Sequence, residues 1–227
     1  MKELPRRVEQ LIEEQVRKWE MMRKEKKQQR IEPVIAISRM MGSQGETIAK
    51  EVADHLGFGL LGREILQKIA ESSDLSEEVL ATLDEKGRTT LEEWLCSGLS
   101  RRAVWSDEFL SHLAKVVGTA AKHGRTVLLG RGASFLLPPA EALRVLVVAP
   151  LEMQIQRVAK EENLAEPEAR HRVRQTDAER RAYIRKYFDS EFTDPVHYDL
   201  VINTEATSVP AAVSLIKAAW DSKRSCA

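Results

Sequence analysis

The sequence predicts an α/β domain built on a five-stranded parallel sheet flanked by helices on both faces. Three observations carry this expectation. Short apolar runs of strand length alternate with longer stretches of helical periodicity, the pattern of a parallel sheet with helical crossovers. The runs are apolar almost throughout rather than alternating, as strands covered on both faces should be. The 227 residues, 43% hydrophobic and 31% charged, suffice for one good-sized core, whereas two full domains would be cramped.

The first element stands apart from the rest. Leu4, Val8, Leu11, Ile12, Val16, Trp19 and Met22 recur at spacings of three and four, the stripe of one amphipathic helix, and Pro33 closes the segment. The first thirty residues of this extension (residues 1–32) carry ten basic and six acidic side chains, a net +4, which leaves −4 for residues 31–227. Two readings stay open for it: a helix folded back along its own domain, or an arm for a homodimer or a protein partner.

Residues 33–222 read as the α/β domain. Val34-Ile35-Ala36-Ile37-Ser38 is the first strand; a glycine-bearing turn leads to a helix from about 45 to 56, which stops at Gly57 in a C-cap position. Leu60-Leu61 is a short second strand. About sixty residues of helical pattern follow, including 77–83 and 101–123, too many for a simple crossover and too few for an independent domain; they read as an insertion over the sheet at about 62–122. Thr126-Val127-Leu128-Leu129-Gly130 and Leu143-Arg144-Val145-Leu146-Val147-Val148 are the next strands. A second helical excursion, 151–188, precedes the last strand, Asp199-Leu200-Val201-Ile202-Asn203.

Composition removes several function classes. Lys+Arg 35 against Asp+Glu 35 leaves no overall field to draw the chain to nucleic acid or anionic lipid. Cys96 and Cys226 lie far apart, and neither they nor the five histidines show metal-ligand spacing. No apolar run approaches the ~20 residues that span a bilayer, and the charged N-terminus lacks the apolar core of a signal peptide. The expected location is therefore the cytoplasm, with no membrane or nucleic-acid partner.

The residues that carry chemistry collect at strand ends. Between the first strand and its helix, Gly42, Ser43, Gln44, Gly45, Glu46 and Thr47 form a turn whose amides can cradle an anion at the positive end of the helix dipole. Against the pattern G-x-x-x-x-G-K-[ST], Gly45 and Thr47 match, while Met40 replaces the first glycine and Glu46 the lysine. Glu46 and Lys50, one turn apart, are spaced to pair, and Arg39 is the nearest substitute cation. Arg63 and Arg131 also follow strands, so the three arginines can converge at the carboxyl edge of the sheet, where open α/β sheets bind ligands. Guanidinium suits phosphate because its planar fork donates two bonds and stays charged. The second excursion adds Arg170, Arg172, Arg174, Arg180, Arg181 and Arg185 within sixteen residues without a lysine, and with apolar residues too sparse for a well-buried helix. That stretch reads as a lid, at about 165–190.

From residue 34 to 220 the chain resembles the cytidylate kinase-like family of P-loop nucleoside-monophosphate kinases. Besides the opening strand with its Ser38-Arg39 and glycine loop, Gly62-Arg63-Glu64-Ile65-Leu66, Gly130-Arg131-Gly132 and Tyr198-Asp199-Leu200-Val201-Ile202-Asn203-Thr204 are similar to family motifs in order and spacing. The resemblance implies a P-loop kinase fold with a helical nucleotide-binding insertion and a lid. It implies Mg²⁺-dependent phosphoryl transfer from ATP to CMP, dCMP or a similar nucleoside monophosphate. The glycine loop and Arg39 would hold donor phosphates, and Thr47 would hold the metal. Arg63 and Arg131 would hold the acceptor, and Asn203-Thr204 would lie near adenine. Arg174, Asp177, Arg180 and Arg181, in a stretch similar to the family lid, would serve the transferring group. Glu46, Gly62 and Gly132 depart from the family pattern. Two rivals remain: a kinase of another small metabolite, and a nucleotide-binding regulator without turnover, which Glu46 favours.

Overall fold

The computed structural model describes residues 4–25, 32–99 and 107–226. Five parallel strands, β1 Val34–Arg39, β2 Gly59–Leu61, β3 Thr126–Leu129, β4 Ala142–Val148 and β5 Leu200–Asn203, form one sheet in the order β2-β3-β1-β4-β5. The five-stranded parallel architecture is as the alternation of runs predicts. β1 lies at the centre, with Ile35 in register with Val127 on one side and Leu143 on the other, and every one of its six residues is buried.

Successive strand residues feed two different cores, which is why the runs are continuously apolar. Ile35, Ile37, Val127, Leu129, Val145 and Val147 meet α2 (Gly45–Leu56) and α10 (Val209–Cys226) through Ile48, Val52, Ile216 and Trp220. Val34, Ala36, Leu128 and Leu146 belong to the opposite core. That face is covered by α1 (Leu4–Glu25), α3 (Arg63–Ala70), α4 (Ser73–Ala81), α5 (Glu85–Leu99), α6 (Glu108–His123), the short α7 (Ala133–Leu136) and the end of α9 (Glu166–Phe188). The insertion is thus helical; of the helix expected over 101–123, residues 101–106 lie outside the described residues.

The N-terminal helix α1 folds back on its own domain. Ile12, Val16 and Trp19 are buried in the core, and the Trp19 ring stacks on His123 at 5.0 Å, whose Nε2 is 2.8 Å from Thr82 Oγ1. Arg23 donates to the carbonyl of Ala81, and Glu9 pairs with Lys68 of α3. The second excursion is α8 (Leu151–Glu162) followed by α9. Its sparse apolar residues predict a helix that is not well buried, and most of α9 is at least partly exposed. Ala169, Val173, Asp177, Ile184 and Phe188 are all buried, at spacings that place them along one inward stripe. No helix among the described residues is long and apolar enough to cross a membrane.

Candidate active site

The turn between β1 and α2 is built by constraint. Gly42 has φ +67°, and a Cβ there would sit 2.6 Å from the carbonyl oxygen of Gln154 in α8. Gln44, the N-cap of α2, also takes a left-handed φ of 61°, with no side-chain cap. Among the described residues the amides of Gln44, Gly45, Glu46 and Thr47 have no protein acceptor. Unpaired amides at the positive end of a helix form an anion cradle. Ser43 is fully buried and ties the loop inward through its hydroxyl to the Met40 carbonyl at 2.8 Å, while Glu46 and Thr47 lie exposed on the first turn.

Arg39 ends β1 beneath this turn, buried to 6% exposure. Its Nη2 donates to Glu46 Oε1 at 2.9 Å. The expected partner of Glu46, Lys50, is therefore corrected: a cation from the neighbouring strand end takes the carboxylate, because the turn folds the start of α2 over the end of β1.

The turn after β3 places three successive residues, Gly130, Arg131 and Gly132, at φ +82°, +50° and +72°. This left-handed run swings Arg131 back toward α3 and α9. Its Nη2 donates to Gln67 Oε1, its guanidinium lies 5.8 Å from the Tyr183 ring centre, and Tyr183 donates to its carbonyl. From α9, Arg180 Nη1 donates to the carbonyl of Arg39 at 3.0 Å and to Asp177 Oδ1 at 3.2 Å, and Asp177 Oδ1 also accepts from the Met41 amide at 2.9 Å.

Arg39, Arg63, Arg131 and Arg180 thus line one cavity of about 250 Å³, with Ser38, Gly130, Thr176, Glu179, Tyr183 and Phe192 among its other walls. The cavity lies at the carboxyl edge of the sheet. Burial, then the charge of Arg63, lowers the pKa of Arg131; burial, then Arg39, pushes that of Arg180 down to about 10. Both remain protonated at neutral pH. Among the described residues Arg63 and Arg131 have no carboxylate within ion-pairing distance, so a bound anion would relieve their mutual repulsion.

Comparison with known sequences is decisive here: the profile described as the cytidylate kinase-like family matches residues 34–206. The chain belongs to this family. Among its relatives, a cytidylate kinase of Methanopyrus kandleri is 28% identical over 202 residues, covering 84% of this chain and 94% of that protein. One from Pyrococcus horikoshii is 26% identical over 189 residues, covering 83% and 88% respectively. A solved structure of an uncharacterised protein from Eubacterium ventriosum shares the fold, with a TM-score of 0.59 and 21% identity over 84% of this chain and 99% of that one. The family match begins after α1 and ends before α10.

Not every expected residue of the cytidylate kinase-like site reaches the cavity. Arg174 is exposed on α9, close enough to Glu152 to lower its pKa behind the stronger hydrogen bond from Arg170. Arg181 is partly exposed, 3.9 Å from Glu191. Asn203 accepts from the Glu205 amide, whereas Thr204 is buried and donates to the carbonyl of Ser43 at 3.1 Å. Asp199 pairs with Arg144 and Lys223 at 2.8 Å each.

Two contributors escaped the sequence reading. Arg157 of α8 donates to Thr204 Oγ1 at 2.8 Å, the Thr204 carbonyl at 2.9 Å and the Gly42 carbonyl at 3.2 Å, fastening the glycine turn to the end of β5. Gln67 orients Arg131. Neither carries a local signal, since both work through tertiary contacts. For Asp177 and Arg180 a signal did exist: they interrupt an otherwise apolar helical stripe.

The residues present fit phosphates and a magnesium ion. The free amides and left-handed turn suit phosphate oxygens, and Gly42 and Gly45 let the turn pack closely against Gln154 and Arg39. No group of three or more His, Cys, Asp or Glu among the described residues is arranged for a metal. The ion would therefore depend on the Thr47 hydroxyl and on phosphate and water oxygens, a common Mg²⁺ arrangement.

Proposed function

We propose that this cytidylate kinase-like protein transfers the terminal phosphoryl group of ATP to a nucleoside monophosphate of the CMP or dCMP class. One observation carries the reading: four arginines from four separate segments line a single cavity beside a helix start with unpaired amides. The relatives named cytidylate kinase support the substrate class.

In this reading the amides of residues 44–47 hold the donor phosphates, Thr47 would hold Mg²⁺, and Asn203 and Thr204 border the adenine. Arg63 and Arg131 grip the acceptor phosphate. An oxygen of that phosphate attacks the γ-phosphorus in line as the bond to the leaving ADP oxygen breaks, without a covalent protein intermediate. No strong base is required, so catalysis rests on positioning and charge neutralisation, which Arg39 and Arg180 supply. Asp177 holds Arg180 against the loop. Arg174 and Arg181 would join only by moving with α9.

A second reading, nucleotide binding without turnover, is favoured by Glu46 at the lysine position. Titration calorimetry with ATP and CMP, followed by an ADP-release assay over a panel of monophosphates and other phosphorylatable metabolites, separates the two. ATP-dependent turnover of CMP supports transfer; tight binding without turnover of any acceptor supports the second. In the first case Arg131→Ala should weaken acceptor binding by about 2 kcal/mol, the scale of a lost charge-assisted contact. That is roughly a 30-fold change in Kd. An unchanged Kd would remove Arg131 from the site.

A further inference from the structure

Arg39 is accommodated with unusual care. A Cβ on Gly45 would lie 2.4 Å from Arg39 Cβ, and one on Gly130 would lie 2.3 Å from Arg39 Nη1. Two glycines from separate turns thus leave the space that this one side chain fills. Its three nitrogen positions have different surroundings. Nη2 is taken by Glu46, and Nε is sealed from solvent without an acceptor. Nη1, against the cavity-lining Gly130, has no protein acceptor among the described residues. The side chain is 7% exposed, while that of Glu46 is 74% exposed.

From this geometry we infer that Glu46 is a positioning residue: by holding Nη2 it fixes the guanidinium so that Nη1 faces the cavity, and Arg39 thereby supplies from the strand the cation that a loop lysine would supply from the helix. The inference rests on the phosphoryl-transfer reading, because it assigns the phosphate-facing charge of that same site. A buried arginine fork can pivot about its long stem, and anchoring Nη2 restricts that freedom. The carboxylate is then an orienting group rather than a repulsive intruder, and lysine at position 46 would repel Arg39 from its place.

The test uses a conflict of sign. By charge alone, removing a carboxylate beside a phosphate site should tighten binding of a polyanion. If Glu46 orients Arg39, Glu46→Gln should weaken ATP binding instead, about three- to tenfold by titration calorimetry, because a neutral amide holds the guanidinium less firmly. In an Arg39→Ala background nothing remains to orient, and the same Glu46→Gln change should leave ATP affinity equal or tighter. Thermal unfolding of each variant establishes that it is folded, which the exposure of Glu46 favours. Tighter ATP binding by Glu46→Gln in the otherwise unaltered protein, or the same change in both backgrounds, overturns the inference while leaving phosphoryl transfer standing. Failure of the unaltered protein to bind ATP would sink the transfer reading and this inference with it.

Discussion

Helices α1 and α9 are both long, both rich in basic residues, and both packed on the same face of the sheet, yet they are fastened by different physics. α1 inserts Ile12, Val16 and Trp19 into the core. α9 uses apolar residues at its two ends, Ala169 and Val173 against α8 and Ile184 and Phe188 in the main core, but its middle is held by Asp177 and Arg180. Apolar contact is non-directional and indifferent to what the glycine turn binds. A buried carboxylate bonded to the Met41 amide is directional, and it links the position of α9 to the turn itself. The difference teaches why one helix belongs to the scaffold and the other to the site.

The comparison breaks most easily at Trp19. Trp19→Ala removes a ring 1% exposed and stacked on His123. The loss should be about 4 kcal/mol in urea unfolding, as for other large aromatic truncations in cores, with ATP affinity unchanged in the folded fraction. A loss below about 1 kcal/mol would mean that α1 is not part of the core energetics, and the scaffold half of the contrast would fall.

Asp177 is the corresponding point on α9, with a smaller effect on stability and a larger one on function. Asp177→Ala leaves the Met41 amide and Arg180 without their shared acceptor, which should cost about 2 kcal/mol, the scale of stranding buried donors. Turnover should fall by at least tenfold, because Arg180 loses its brace. Asp177→Asn retains an acceptor oxygen and should lie between. If Asp177→Ala lowers stability and leaves turnover untouched, the polar fastening is purely structural.

How far the sequence reveals these features follows from the same contrast. Strands, glycine turns and the α1 stripe were legible because apolar periodicity and left-handed glycine positions are written in adjacent residues. Arg39, Arg63 and Arg131 were legible because strand ends in a parallel sheet share one edge. The partner of Glu46 was not: helical spacing nominated Lys50, but the strand end supplies Arg39. Arg157 and Gln67 were invisible for the same reason, since nothing local marks a side chain that serves a distant turn. Six arginines in sixteen residues announced a charged helix without sorting its faces; the buried stripe sends Arg180 to the cavity and leaves Arg174 outside it.

The smallest expected effect sharpens the contrast through pH, because polar fastenings titrate and apolar ones do not. Asp199, at the entry to β5, is partly buried. Burial raises its pKa, but the hydrogen bonds from Arg144 and Lys223 outweigh this and bring it from 3.8 down to about 2. A folded pKa below the unfolded one gives stability that is fully present above about pH 4 and is lost as pH falls through about 2. After allowance for solvent screening of a part-exposed pair, its contribution is about 1 kcal/mol. Asp177 has the opposite sign: burial raises its pKa despite the Met41 and Arg180 contacts. Its contribution to stability is therefore greatest in acid and declines as pH rises out of the ordinary carboxylate range. In denaturant titrations Asp199→Asn should thus cost about 1 kcal/mol at pH 6 and almost nothing near pH 2, whereas the cost of Trp19→Ala should stay constant over that range. A pH-independent cost for Asp199→Asn would mean that its ion pairs contribute packing rather than charge, and the distinction between the two kinds of fastening would lose its electrostatic basis.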